Sequence, residues 1–145
     1  GVNSNTLQLI ENGILKNYLV DTYNGKKLNL KSNGRSGGTT NLYFEKGNIS
    51  YEDLMKKNSR SLYITETIGH GSNIVTGDYS VGATGFLVED GEFKYPVNEI
   101  TIAGNFKDMF KNIILANDLE FEYSVNSPTM MIEGMTVAGK WVVIV

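Results

Sequence analysis

The chain has 145 residues, a length typical of one domain, so we predict a single domain over residues 1–145. Thirteen basic and 16 acidic residues give a net charge of −3, which argues against a nucleic-acid partner because nucleic-acid-binding proteins usually carry a basic stripe. Cysteine is absent and histidine occurs once. This composition excludes thiolate catalysis, disulfides and cysteine-ligated metals within the chain.

The first third of the chain alternates short apolar runs with turn residues. Asn12-Gly13 lies between two apolar runs and predicts a tight hairpin. Near-helical spacing of apolar residues predicts a short helix over residues 16–28, although its glycine weakens it. Residues 31–40 show no periodicity and predict a loop, and residues 41–44 read as a strand.

The middle of the chain predicts a helix and a long hairpin. Ser50 is a good helix cap, and acidic residues follow it in the first turn. Alternation predicts strands over residues 61–68 and 79–89, joined by a glycine-rich loop over residues 69–77. Asp90-Gly91 is typical of another hairpin turn.

The strand after that turn contains Pro96, which lacks an amide donor. We therefore expect the strand to lie at a sheet edge or to end there, with a further strand over residues 99–103. Asn105 then caps a predicted helix whose apolar stripe runs from residue 106 to residue 114. Residues 119–145 predict two or three more strands.

Together these elements predict a strand-rich α+β domain with two or three short helices. Hairpin connections favour a largely antiparallel or mixed sheet, because parallel strands need longer crossovers. The chain ends on the apolar run of residues 141–145, which is far below the ~20 residues that span a membrane. An exposed run of this kind invites edge pairing, so we expect it to be a buried strand, an interface strand or both.

The densest group of candidate functional residues is the loop that holds Gly69, His70, Gly71 and Asp78. Glycines on both sides of the histidine allow a sharp turn and an accessible imidazole. Asp78 could orient that imidazole, and Ser72 or Ser80 could act as a nucleophile, which would make an autonomous hydrolase. The alternative is that His70 and Asp78 only bond to backbone in a glycine-rich turn.

Metal and phosphate sites have little support in the sequence. Catalytic zinc usually has three protein ligands, and this chain offers one histidine and no cysteine. No phosphate-loop pattern of glycines followed by Lys and Ser or Thr occurs. We therefore predict no metal and no cofactor in this chain by itself.

Nine segments spread over nearly the whole chain carry a recognisable pattern. In chain order they are Glu11-Asn12-Gly13, Tyr18-Leu19-Val20-Asp21-Thr22-Tyr23, Gly38-Thr39-Thr40-Asn41-Leu42-Tyr43, Ile68-Gly69-His70-Gly71, Val75-Thr76-Gly77-Asp78-Tyr79-Ser80, Gly82-Ala83-Thr84-Gly85-Phe86, residues 95–105, Asn117-Asp118-Leu119 and residues 132–139. Together these segments resemble the C-terminal domain of the TldD/PmbA family, described as peptide-maturation metalloproteases or modulators of DNA gyrase. The closer likeness is to the PmbA (TldE) branch.

The resemblance implies a cytoplasmic, non-catalytic companion subunit that pairs with a TldD-like protease. It also implies contacts of this chain with its own N-terminal domain and with a peptide substrate in the complex. Family members are about three times longer, so the chain resembles an excised C-terminal domain that could also dimerise. In the catalytic branch zinc is bound by a His-Glu-x-x-x-His helix in the N-terminal part and by a cysteine after the Asn-Asp-Leu motif. The matching residues 120–128 contain no cysteine, so we expect zinc only in the partner. A generic protein-binding domain remains the other alternative.

Overall fold

The computed structural model describes residue 3 and residues 5–35 and 37–139. Within these residues the structure combines three short helices with strands of very different lengths, which confirms the predicted strand-rich α+β class. The helices are α1 (Thr22–Leu28), α2 (Tyr51–Lys56) and α3 (Phe106–Met109). The strands are β1 (Ile10–Glu11), β2 (Ile14–Leu15), β3 (Leu42–Tyr43), β4 (Arg60–Ile68), β5 (Asp78–Glu89), β6 (Glu92–Asn105), β7 (Ile113–Leu115), β8 (Val125–Asn126), β9 (Met130–Ile132) and β10 (Thr136–Gly139).

The main sheet has the strand order β10-β6-β5-β4, and all its pairs are antiparallel. Its longest strands, β5 and β6, are joined by the predicted turn at Asp90 and Gly91. These residues have φ angles of 53° and 83°, and such left-handed angles at both central positions define the tight hairpin turns that favour Asp-Gly. The predicted hairpin is therefore confirmed.

Three small two-stranded pairs accompany this sheet. β1 and β2 form the predicted hairpin, with φ angles of 50° at Asn12 and 74° at Gly13. β7 and β9 also pair antiparallel, whereas β3 and β8 pair in parallel. Among the described residues the pairing is thus largely antiparallel, as the hairpin signals predicted, and the parallel exceptions are β3–β8 and the isolated bridge between Ile49 and Ala116.

One cluster of buried apolar side chains packs on one face of the main sheet, and Val20, Leu54, Met55, Val88 and Ala116 are buried outside this cluster. Alternate residues of β5 point to this face, as expected from the two-residue period of a strand. The packed side chains are Val81, Ala83, Leu87, Val97, Ile100 and Ile102, with Leu62, Ile64, Tyr79, Tyr95 and Met135 partly buried against them.

The prediction for the first helix needs correction at its start. α1 begins at Thr22, not at residue 16, because the Asp21 side chain caps it by accepting from the Asn24 N–H at 2.6 Å. The Lys16 N–H instead donates to the Leu9 carbonyl at 2.8 Å, which extends the β1–β2 hairpin. Ser50 caps α2 as predicted, since its hydroxyl accepts from the Asp53 N–H.

The apolar stripe after Asn105 is helical only in its first half. α3 ends at Met109, and residues 113–115 form β7 against β9. Ile113 and Ile114 are β-branched and fit a strand better than a helix once a partner strand is present. The prediction of a helix through residue 114 was therefore wrong beyond the first turn, although the Asn105 cap is correct.

The prediction for Pro96 is only partly correct. β6 does not end there but runs unbroken to Asn105, so the separate strand over residues 99–103 is part of β6. Among the described residues Pro96 pairs only with Phe86, and β10 joins the other side of β6 from Ile100 onward. The apolar run at residues 141–145 lies outside the described residues, so its predicted role stays a prediction.

Candidate functional site

The glycine-rich loop between β4 and β5 is an ordered extension of their hairpin. Ser72 forms an isolated antiparallel bridge with Tyr79, and the Ser80 N–H donates to the Gly71 carbonyl at 2.8 Å. Most of residues 69–80 are exposed, as the sequence predicts. The two cavities described for this structure are lined by other residues.

The two glycines beside His70 have different physical roles. Gly69 has a φ angle of 94° and open space around it, so glycine is favoured there for its backbone angle. A Cβ on Gly71 would overlap the carbonyl oxygen of Ser80, so glycine is required there for close approach of two backbones. Together they bring His70 to the surface at the end of β4.

The structure does not pair His70 with Asp78. Within the described part of the chain no hydrogen bond or ion pair joins these two side chains, and His70 is exposed. The Asp78 carboxylate instead accepts from Asn105 Nδ2 at 3.0 Å. Neither Ser72 nor Ser80 has a described hydrogen bond to His70, so the geometry contains no nucleophile–base–acid arrangement.

Asn105 is the residue that ties the loop to the rest of the domain. Its Nδ2 donates to the Thr76 carbonyl at 3.2 Å as well as to Asp78, while its Oδ1 accepts from the Lys107 N–H at 3.1 Å. The neighbouring Phe106 N–H donates to the Gly77 carbonyl. Sequence reasoning identified Asn105 only as a helix cap, because its loop partners lie 27 to 29 residues away.

The tip of this loop presents two apolar side chains to solvent. Ile74 is 91% exposed and Val75 is 90% exposed. Asn73 Oδ1 fixes the tip by accepting from the Val75 and Thr76 N–H groups at 3.0 Å and 3.2 Å. We call residues 73–76 the loop tip. An apolar pair held outward on an ordered turn is a feature that the sequence analysis missed.

Hydrogen bonds from Thr76 and Asn105 hold the pKa of the Asp78 carboxyl below its usual value. A carboxyl with a lowered folded-state pKa stabilises the fold above its ordinary pKa, and this contribution is lost as pH falls through the lowered value. We expect carboxyl titration by NMR to give an Asp78 pKa below that of a model peptide. In Thr76→Val the pKa should rise toward the ordinary value, and an unchanged pKa would contradict this account.

A second candidate region is the segment after the Asn117-Asp118-Leu119 motif. It lines a cavity of about 280 Å³ with residues between 118 and 129. Asn126 organises this segment, since its Oδ1 accepts from the Glu122 and Tyr123 N–H groups and its Nδ2 donates to the Tyr123 carbonyl. Asn126 is 7% exposed, which makes it a buried polar anchor under an exposed loop.

The residues of this cavity do not suit zinc. Both carboxylate oxygens of Asp118 are engaged by Thr129, through its N–H at 2.8 Å and its hydroxyl at 2.7 Å. Burial alone would raise the pKa of Asp118, but these bonds lower it overall. The lining offers no imidazole or thiolate, which zinc prefers. Within the described ranges no three His, Asp or Glu residues come together as metal ligands.

No helix in the described part of the chain has the length and apolar character needed to cross a lipid bilayer.

Comparison with known proteins shows close relatives over nearly the whole chain. Residues 1–139 match the model of the PmbA/TldA metallopeptidase C-terminal domain. The metalloprotease PmbA of Escherichia coli O157:H7 is 42% identical over 141 residues, which cover 97% of this chain and 31% of that protein. A metalloprotease TldD homolog of Buchnera aphidicola (subspecies Acyrthosiphon pisum) is 25% identical over 157 residues, covering 90% of this chain and 32% of that protein.

Solved structures agree with these sequence relatives. A crystal structure from Thermotoga maritima, whose name marks it as a candidate modulator of DNA gyrase, has a TM-score of 0.83 and 34% identity over 94% of this chain and 34% of its own. TldE from Thermococcus kodakarensis has a TM-score of 0.70 and 29% identity, covering 90% of this chain and 33% of its own. The chain spans about a third of the length of these proteins. It therefore belongs to the PmbA/TldD family of metallopeptidases, where it matches the C-terminal domain.

Proposed function

We propose that this chain is the C-terminal domain of a PmbA/TldE-like subunit in a TldD–TldE-type metalloprotease complex that acts in peptide maturation and proteolysis. The domain is non-catalytic by itself and contributes a docking surface. We place this complex in the cytoplasm, as the family resemblance implies. The relationship to both PmbA and TldD proteins supports a pair of homologous subunits.

One observation carries the non-catalytic role: Asp78 is bonded to Asn105 and not to His70. A hydrolase would need the aspartate or another base to activate a nucleophile. Here the same aspartate helps to hold the loop that displays Ile74 and Val75. The arrangement therefore supports a loop built to contact another protein more than a site built for chemistry.

The loop tip has the properties of an interface anchor. Fully burying a Val or Ile side chain stabilises a complex by ~1.5–3 kcal/mol. The backbone of the tip is already fixed by Asn73, so little conformational entropy is lost when a partner binds. We therefore infer that the TldD-type subunit receives Ile74 and Val75 in an apolar pocket.

Binding to the TldD-type subunit of the same organism tests this role. The double variant Ile74→Ser/Val75→Ser should weaken binding by at least about 100-fold, because two anchors are lost together. Tyr123→Ser is the control, because Tyr123 is likewise largely exposed, at 75%, but lies in the segment after the Asn117-Asp118-Leu119 motif. Absence of binding by the unchanged chain, or equal binding by the double variant, would contradict the proposal.

Metal and activity measurements on the chain alone test the non-catalytic part. We expect well under one zinc per chain after dialysis and no peptidase activity, because the ligand set is too small. His70→Ala should fold normally, since His70 is exposed. Peptidase activity of the unchanged chain that disappears in His70→Ala would instead establish the hydrolase alternative.

A further inference from the structure

The amino-terminal segment, residues 5–35, exposes an unusual amount of apolar surface. Five of its large apolar side chains are more than half exposed. Only Val20 and Gly25 of the segment are buried. The five exposed residues are Ile14 (59%), Leu15 (53%), Tyr18 (61%), Tyr23 (73%) and Leu28 (60%).

Polar and backbone bonds fix the conformation of this segment, in which Val20 is the buried apolar side chain among the described residues. The Asn33 side chain makes two hydrogen bonds to the backbone before α1. Its Nδ2 donates to the Tyr18 carbonyl at 2.7 Å, and its Oδ1 accepts from the Val20 N–H at 3.0 Å. The Leu30 N–H donates to the Gly25 carbonyl. Polar and backbone bonds thus set its shape, while the five apolar side chains named above stay more than half exposed in the described part of the molecule.

The segment also differs from the rest of the chain in charge. It carries five basic residues and two acidic ones, whereas residues 37–139 carry seven basic and 14 acidic ones. A surface that is both apolar and basic is complementary to an apolar surface with excess negative charge. A concentration of large exposed apolar side chains on a protein surface often marks an interaction site.

The length of the relatives suggests a partner that covers this segment. This chain spans about a third of each relative, and its match is to a C-terminal domain. The remaining two-thirds of such a subunit would precede the domain, and the amino-terminal segment is the part nearest to that junction. A covalent link raises the effective concentration of the two surfaces, so even modest contacts would keep them together.

We propose that the amino-terminal segment is the docking surface for the preceding part of the same subunit, which covers it with an apolar surface of net negative charge. This proposal rests on the proposed function, because it takes the chain as the C-terminal domain of a longer subunit. It assigns different surfaces to two partners: residues 5–35 contact the same polypeptide, and the loop tip contacts the TldD-type subunit.

Hydrogen–deuterium exchange separates these assignments. We expect amides of residues 14–30 to exchange at least tenfold more slowly in the full-length subunit alone than in the 145-residue chain alone. Amides of residues 70–78 should exchange alike in both and slow only when the TldD-type subunit is added. If that subunit does not bind, the proposed function fails, but the comparison of the two chains still tests the amino-terminal segment.

Two substitutions test which side chains make the contact. Tyr23→Ser/Leu28→Ser in the full-length subunit should return exchange of residues 14–30 to the rate in the short chain, while Tyr123→Ser should leave it slow. Three results would overturn the proposal: equal exchange in both chains, slowing that requires the TldD-type subunit, or slowing in the short chain that grows with its concentration. The last two would assign the segment to the partner subunit or to a second copy.

Discussion

Replacing Gly85 by alanine is expected to destabilise the domain by about 3 kcal/mol, the upper end of the usual cost of overpacking. An added Cβ would overlap the carbonyl oxygen of Tyr63 and lie 2.9 Å from its carbonyl carbon and 3.0 Å from Ile64 Cα. All three atoms belong to the backbone of β4, which cannot move aside as a flexible side chain can. Chemical denaturation followed by circular dichroism would measure the loss.

Gly82→Ala on the same strand is the matched control. Its Cβ would lie 3.6 Å from the Ile68 side chain and carbonyl oxygen, which is ordinary van der Waals contact. Removing a strand glycine also lowers the entropy of the unfolded chain, so the change should stay within about 1 kcal/mol of the parent in either direction. Equal effects at the two positions would show that close approach of β4 is not what requires Gly85.

In the sequence both glycines lie inside the strand predicted over residues 79–89. The structure shows that β5 continues through them and that the pairing of β4 with β5 shifts register between Ile64 and Glu66, next to Gly85. Glycine inside a strand often marks such a bulge or a close backbone approach. The sequence could not show which of the two glycines faces backbone, because that depends on the neighbouring strand.

Elements specified by a few adjacent residues were predicted well. Asn12-Gly13 and Asp90-Gly91 adopt the left-handed angles that their turns need, and Ser50 caps the helix that follows it. The prediction failed at residues 113–115, where β9 is the pairing partner and lies 15 or more residues further on. A stripe of apolar residues cannot distinguish a helix from a strand whose partner is distant in sequence.

The candidate site shows the same limit. The glycine-rich loop was predicted to be exposed and its position was correct. The chemistry assigned to Asp78, however, assumed that its carboxylate contacts His70. The Asp78 carboxylate accepts from Asn105, on β6, which only the folded sheet brings close. The apolar tip, Ile74 and Val75, gave no local signal because two apolar residues within a loop are common. Its interpretation as an interface anchor depends on its exposure and on the Asn73 turn that holds it, and both are visible only in the structure.

Asn126→Ala is expected to destabilise the domain by about 2–3 kcal/mol, because a buried N–H left without an acceptor costs ~1–3 kcal/mol. The substitution removes the acceptor of two N–H groups, those of Glu122 at 3.0 Å and Tyr123 at 2.9 Å. It also removes the donor to the Tyr123 carbonyl at 2.6 Å. Water that enters the nearby cavity would satisfy part of this loss, which keeps the expected value below the sum of three bonds.

The effect should extend beyond the cavity, because Asn126 belongs to β8. Its carbonyl accepts from the Phe44 N–H at 3.1 Å in the parallel pairing with β3. Phe121, in the loop that Asn126 organises, also packs edge to face on Tyr43 with ring centroids 5.2 Å apart. Loosening the loop therefore removes support from β3, and we expect NMR shifts at Tyr43 as well as around residues 118–129.

Asn112→Ala is the control for this prediction, because Asn112 also uses its side-chain amide to donate to a backbone carbonyl, that of Asp108 at 3.0 Å. That bond is exposed, so water replaces it and the loss should stay below about 1 kcal/mol. Thermal or urea unfolding of both variants gives the comparison directly. If Asn126→Ala costs no more than Asn112→Ala, Asn126 is not the anchor of residues 118–129, and the shape of the cavity must be set by the bonds between Asp118 and Thr129 instead.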